Sequence, residues 1–545
     1  MWNSVNSRRA AATLAALLCA GSAPALAQDV AVASQVTGQP LPFGYIQRVT
    51  QRPDFFEIQR GWKNAALRAA RRGQPLGGTL PIAIVLALHS DVPDPAVTPD
   101  EIQRILFDGP STTGTLAEFY SEMSGGLLRI DGRVLPWVRT GLTVAEVRGT
   151  SFGLGADART PEFLIQALTA ADATTDFGQF DNDGPDGIPN SGDDDGFVDV
   201  LAVEFLESSI TCSGNGPTIW AHRARISGWT DSPFTTNDVR PGGEPIYVDD
   251  YIIQAAVRCN GASQTITTIA HEMGHIIGLP DLYDRTEGIL PVQRNWVEGC
   301  WSLMAAGTWG CGPALERGEW DRPTHLGPWE KNELGWLPNL QVVGAVQNQE
   351  FTLRPSETTG DALRVPLSPR EYLLVEYRQG SGFNTRLPAT GVLIHHVDLD
   401  RPLRRCRACP QLYRVALVEA DANMGLITRE GEGGNRGEAG DVFARNGPVQ
   451  FSNATSPSTR LNSGAESPVT FYRIAVENGV ATIRLSTTVV SLERLLEPFV
   501  ANNATPLTSE DRDYLDSVGN DNGRYDIGDL RRYLQRHPSV GISNE

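Results

Sequence analysis

Lysine is almost missing from this chain. Of 46 basic residues only Lys63 and Lys331 are lysine, which reads as genomic base composition rather than function. Positive charge is also outweighed, with 65 acidic residues and a formal net charge of −19. A surface of that sign is unsuited to nucleic acid or anionic membrane. Beyond a short run near the start, no apolar stretch reaches the roughly 20 residues that a bilayer-spanning helix needs. What remains is 40% hydrophobic and 20% charged, the composition of an ordinary globular protein. At 545 residues the chain has room for two to four domains.

Residues 1–27 have the layout of a secretory signal peptide of Sec type. Arg8 and Arg9 are its basic region, Ala10–Ala20 its short apolar region, and Ala25-Leu26-Ala27 an A-x-A cleavage site. Its removal takes away two positive charges and leaves −21. The expected location is therefore secreted, extracellular to a bacterium, with no transmembrane anchor. Cysteine is scarce. Cys19 leaves with the signal, and Cys212, Cys259, Cys300, Cys311, Cys406 and Cys409 remain. An even number in an exported chain points to three disulfide bonds, with 15 possible pairings. Local pairing (212–259, 300–311, 406–409) is the expectation. Cys406-Arg407-Ala408-Cys409 also admits a redox or zinc-knuckle reading, but no second C-x-x-C accompanies it.

The centre of the chain carries its most specific pattern. His271-Glu272-Met273-Gly274-His275 reads H-E-x-x-H, continued by Gly278 and Asp281. On a helix, residues at i and i+4 leave the same face, so both imidazoles can reach one zinc ion at roughly 2.0–2.1 Å. Glu272 sits beside the first ligand, placed as the catalytic base for a water activated by the metal. Gly278 can end the helix and turn the chain, bringing Asp281 in as a third ligand. Three protein ligands leave one position open, as in catalytic zinc sites. Those offsets are used by metzincin-type peptidases, and Met304, 23 residues beyond Asp281, is placed for the methionine turn beneath the metal. His89, His222, His325, His395, His396 and His537 lack ligand spacing and read as structural.

Two further stretches carry oxygen ligands. Between residues 181 and 199 there are seven aspartates in nineteen residues, several alternating and followed by glycine. That spacing suits structural calcium, with Asp181, Asp183, Asp193, Asp195 and Asp199 as ligands; the bland alternative is a solvated acidic loop. Near the C-terminus, Asn520, Asn522, Gly523, Asp526 and Asp529 match positions of an EF-hand-type loop, with Asp516 reaching in because Val518 stands at the first position. This resembles one half of a dockerin module and suggests calcium, with a possible role in tethering a partner.

The run of elements gives the organisation. Residues 28–78 form a pro-segment or N-terminal arm with one helix-like run, Phe55–Arg72; Asp54 or Glu57 of this segment could cover the zinc. Residues 79–337 alternate buried strands (Leu80–Leu88, Asp199–Phe205) with helices (Thr98–Leu106, Thr115–Met123, Pro161–Ala171), the pattern of an α/β domain. Residues 338–487 carry short β runs separated by Gly, Pro, Asn and Asp, the pattern of an antiparallel β-sandwich or jelly roll. Residues 488–545 form a small α-helical calcium-loop segment.

Several of these stretches resemble the secreted bacterial metallopeptidases of the immune inhibitor A family. They are His271–Asp284 (HEMGHIIGLPDLYD), Trp301–Gly307 (WSLMAAG), Pro328–Leu337 (PWEKNELGWL), Phe119-Tyr120 with Ser124-Gly125-Gly126, and Phe180–Gly184. Glu371–Glu376 and Val415–Asp421 match the β region that follows. The resemblance covers about residues 80–485. It implies a metzincin-like fold, zinc endopeptidase activity on protein or peptide substrates, and structural calcium. The acidic loop is longer than the compact version of that family, and the pro-segment is short. Two rival readings are a non-catalytic calcium-binding surface or adhesion protein, and a zinc hydrolase of a non-peptide bond.

Overall fold

The computed structural model describes residues 42–60, 62–206, 218–257, 263–284, 294–308, 311, 322–402, 413–447, 449–500, 507–537 and 540. The signal segment and four of the cysteines (212, 259, 406, 409), with the two pairings expected of them, lie outside the described residues. Cys300 and Cys311 are joined in a disulfide bond with Cα atoms 5.2 Å apart.

The first domain is built around β1 (Gly78–Leu88), whose residues from Leu80 onward are all buried. Successive side chains of a strand point to opposite faces, so a strand apolar throughout needs cover on both. Leu80, Ile82, Ile84 and Leu86 enter one core cluster, and Ala83, Val85 and Ala87 another. Around β1 stand β2 (Leu128–Val134), β3 (Val138–Arg139), β4 (Leu201–Phe205), β5 (His222–Arg225) and, after a ribbon of β6 (Phe234–Val239) and β7 (Pro245–Val248), β8 (Asp250–Ala255). The sheet order is β2-β1-β4-β8-β5, with β3 also on β1. Pairings are parallel except the terminal one, β5 with β8, which is antiparallel.

Helices cover both faces. In chain order they are α1 (Phe43–Gln51), α2 (Lys63–Arg71), α3 (Leu116–Ser124), α4 (Thr160–Asp172) and α5 (Thr267–Ile276). Ile269, Ala270, Met273 and Ile276 of α5 share a cluster with α3 and the Leu80 face of β1. Phe163, Leu164, Ala167 and Leu168 of α4 cover the other face. Thr115 starts α3 with a reciprocal capping box to Glu118. The helix expected over Phe55–Arg72 is confined to Lys63–Arg71. Phe55 and Phe56 leave helical geometry because their rings are drawn into the core, 4.9 Å from Trp229 and 4.4 Å from Tyr45.

After α6 (Pro328–Glu333) the chain enters two sheets. Strands β9 (Asn339–Val342), β10 (Gln349–Leu353), β11 (Asp361–Pro366), β12 (Glu371–Arg378), β13 (Gly391–Asp398), β14 (Val415–Leu417), β15 (Val449–Phe451), β16 (Thr470–Glu477) and β17 (Val480–Ser486) sort into β14-β13-β12-β11-β9 and β10-β17-β16-β15. Val365, Val375 and Ile394 of the first meet Phe351, Phe471 and Ile483 of the second in one core, which makes a sandwich. It is not wholly antiparallel: β9 and β11 pair in parallel, because the chain visits the other sheet through β10 between them. At the C-terminus α7 (Ser509–Ser517) and α8 (Ile527–Arg536) bury Tyr514, Leu515 and Tyr533 together with Tyr472 of the sandwich.

Candidate metal centre

The site grows from α5. His271 and His275 are both buried, one turn apart on that helix. The helix ends at Ile276, and Gly278 follows with φ +97°, in the region that favours glycine. Leu279 N–H bonds back to the Gly274 carbonyl (2.9 Å) and Gly278 N–H to that of His275 (3.0 Å), a turn that reverses the chain. Asp281 is thereby delivered to the histidines. Its Oδ1 lies 3.1 Å from His271 Nε2 and 3.3 Å from His275 Nε2. Ligand atoms of one tetrahedral zinc, each at about 2.0–2.1 Å, would stand roughly 3.3 Å apart.

The other ring nitrogens are fixed by backbone. His271 Nδ1 pairs with the Leu303 carbonyl at 2.8 Å and His275 Nδ1 with that of Leu279 at 2.7 Å. Each Nδ1 must donate to its carbonyl, which leaves Nε2 as the lone-pair nitrogen facing Asp281. His275 Nε2 is buried with no hydrogen-bond partner. An unsatisfied imidazole nitrogen beside a second imidazole and a carboxylate is a donor set that fits zinc.

Met304 lies below. Its sulfur would stand 2.4 Å from a Cβ at Gly274, so the glycine between the two histidines admits the methionine against the helix. Met304 is fully buried, and its carbonyl accepts Leu282 N–H at 2.8 Å. Tyr120 anchors the same helix through a hydroxyl bond to the Ala270 carbonyl, 2.7 Å.

Glu272 faces Arg223, which the sequence did not bring forward. Arg223 Nη1 lies 3.0 Å from Glu272 Oε2, and Nη2 3.9 Å from Asp281 Oδ2. Burial pushes the Glu272 carboxyl up, but Arg223 and the two imidazoles outweigh it and hold the group below its ordinary value. Burial and Arg223 push His275 down. Arg223 comes from β5, 49 residues before Glu272. The one available signal was an arginine in a short strand-like run, and that signal is weak. The Tyr283 ring stands 6.4 Å from that of His271. Asp54 pairs with Arg225 at 3.0 Å.

Of the acidic stretch, Asp181, Asp183 and Asp199 bring carboxylate oxygens within 4.8 Å of one another, all buried. Asp181 Oδ1 has no hydrogen-bond partner. Burial, then repulsion from Asp194 and Asp195, pushes Asp181 up to about 8. Asp195 belongs to the rim, its backbone N–H bonded to Asp183. Asp193 is not among the gathered carboxylates, because bonds to Ser191 and to the Asp186 N–H turn it outward. Asp194 is buried, accepting from Gly184 and Ser191 N–H. In the C-terminal loop Asp516 accepts from Asn522 and Gly523 N–H at 2.9 Å each. Asp529 accepts from Asn520 and Asp526 N–H, Asp526 caps α8, and the amides of Asn520 and Asn522 bond to Asp526.

A buried two-histidine, one-carboxylate centre with an adjoining glutamate, on a helix packed against a mixed sheet, is a donor set of the kind that holds a catalytic metal. Residues 101–337 match the family model described as immune inhibitor A peptidase M6, catalytic domain. The chain is 33% identical over 229 residues to immune inhibitor A of Bacillus thuringiensis subsp. alesti, covering 37% of this chain and 30% of that protein. It is 27% identical over 280 residues to the pre-pro-metalloprotease PrtV of Vibrio cholerae serotype O1, covering 47% of this chain and 28% of that protein. The chain thus spans less than a third of the length of these curated relatives. Among the described residues no helix is long and apolar enough to cross a membrane.

Proposed function

We propose that this protein is an exported zinc endopeptidase with a metzincin-like catalytic domain, cleaving peptide bonds in protein substrates. The observation that carries the reading is the convergence of His271, His275 and Asp281, with both Nδ1 atoms tied to backbone carbonyls. A zinc ion held by these three residues would supply Lewis acidity, polarising a carbonyl and acidifying water. Glu272, kept as a carboxylate by Arg223, takes a proton from the attacking water and returns it to the leaving nitrogen. Asp281 and the imidazoles stay fixed during these transfers. Met304 keeps the floor of the site dry. Strand β5 favours a peptide over other substrates: it ends the sheet beside Glu272, and an edge strand can bind an extended chain through backbone hydrogen bonds.

Calcium bound by Asp181, Asp183 and Asp199, with Asp195 at the rim, would neutralise the acidic loop and stabilise the domain. The loop from Asp516 to Asp529 is a second calcium candidate, and its segment could tether a partner. The signal peptide read from residues 1–27 supports export. Glu272→Ala should retain fold and zinc while losing nearly all cleavage of casein. A peptide-library digest by the wild type that yields no cleaved peptide bonds would overturn the reading.

A further inference from the structure

We propose that the loop between β14 and β15 holds a calcium ion between Glu419, Asp421 and Asp441. One carboxylate oxygen from each lies within 4.8 Å of the others. Two oxygens each about 2.4 Å from a shared calcium can stand no further apart than that. Glu419 and Asp441 are buried and Asp421 is exposed, so the group opens to solvent on one side only.

Asp441 supplies a second observation. Its Oδ2 accepts the Trp301 indole N–H at 2.7 Å and the Glu438 backbone N–H at 2.9 Å. Its Oδ1 is buried without any hydrogen-bond partner. A buried anionic oxygen with no donor is costly unless a cation answers it. Among the described residues no basic side chain pairs with Glu419, Asp421 or Asp441. Gly440 makes room: a Cβ there would fall 2.0 Å from Asp421 Oδ2. An all-oxygen donor set of this kind selects a hard cation rather than zinc, and an irregular loop suits calcium better than the strict octahedron of magnesium.

The ion would fasten the sandwich to the catalytic domain. The loop that carries it accepts Cys300 N–H at the Arg436 carbonyl (2.6 Å) and Val297 N–H at the Leu426 carbonyl (2.9 Å). Trp301, bonded to Asp441, lies two residues before Leu303, whose carbonyl orients His271. The site is separate from the zinc centre and from the Asp181 cluster, and it stands without either.

The test uses the full-length chain, stripped with a calcium chelator and titrated with Ca²⁺ calorimetrically. Asp421→Asn is chosen because Asp421 faces solvent and its loss spares the fold; Asp441→Asn is the buried counterpart. The expected result is one calcium fewer per chain in Asp421→Asn, or at least tenfold weaker binding of one calcium, with zinc content and circular dichroism unchanged. Terbium emission excited through tryptophan should fall in the same variant, because Trp301 adjoins the site. Unaltered calcium number and affinity in Asp421→Asn would overturn the proposal, as would loss of all calcium in Asp181→Asn alone.

Discussion

Replacing Gly274 by alanine tests whether Met304 supports the metal helix. In an exposed helix interior, glycine to alanine stabilises by about 1 kcal/mol. Here the added Cβ would sit 2.4 Å from the Met304 sulfur and 3.1 Å from its methyl carbon. Ordinary carbon contacts are about 3.5–4.0 Å, so the overlap exceeds roughly 1 Å. Met304 is fully buried within the same core cluster as the helix, so it can yield only by displacing packed neighbours. Overpacking of that kind costs about 1–3 kcal/mol, which cancels or outweighs the helix gain. Met304→Ala alone should cost about 2–5 kcal/mol. In the double variant the alanine meets vacated space, so the helix gain returns and the two changes couple by about 1–3 kcal/mol. Urea unfolding at fixed zinc concentration measures all four corners of this cycle. A Gly274→Ala protein more stable than wild type by the full 1 kcal/mol, with no coupling to Met304→Ala, would refute the packing argument.

Other expectations follow from the buried charges. Arg223→Met leaves Glu272 and Asp281 without their cation, so the metal-free protein should lose more thermal stability than the zinc-loaded one, whose ion replaces the missing charge; equal losses would count against this pairing. His395 lies 2.6 Å from Glu298, both wholly buried. Burial opposes its charge, but Glu298 and Glu376 raise it to about 9. A histidine raised in the folded state contributes its full stability below the ordinary 6.5 and loses it as pH climbs through about 9. The stability difference between wild type and His395→Gln should therefore shrink by on the order of 3 kcal/mol from pH 6 to pH 10; a flat difference would exclude the linkage. Breaking the Cys300–Cys311 bond, which closes an 11-residue separation, should cost about 3 kcal/mol in chemical denaturation.

The parts of the centre legible in the sequence are those set by local geometry. His271, Glu272 and His275 follow from helical spacing, and Asp281 from the turn that Gly278 permits. Cys300 and Cys311 are close enough in the chain to pair on proximity. Arg223 was not legible, because its relation to Glu272 exists only once β5 docks antiparallel on β8. Within the acidic stretch, alternation points to Asp193, but Asp193 is bonded by the Ser191 hydroxyl and the Asp186 N–H and is not among the gathered carboxylates. Strands β9 and β11 give a weak pattern signal, because β9 is mostly exposed and β11 opens with an aspartate held by Arg354. The cluster at Glu419, Asp421 and Asp441 spans two separated segments, joined by the Ala420 N–H on the Asp441 carbonyl, a pairing that sequence spacing does not reveal.

X-ray absorption at the zinc edge of the purified protein reads out the metal and its ligands at His271, His275 and Asp281. The expected spectrum is that of one zinc per chain, bound by two imidazole nitrogens at about 2.0–2.1 Å and a carboxylate oxygen at about 2.0–2.2 Å. Asp281→Ala should remove the protein oxygen and leave the imidazoles. Sulfur in the coordination shell, a third imidazole, or no stoichiometric zinc at all would contradict it.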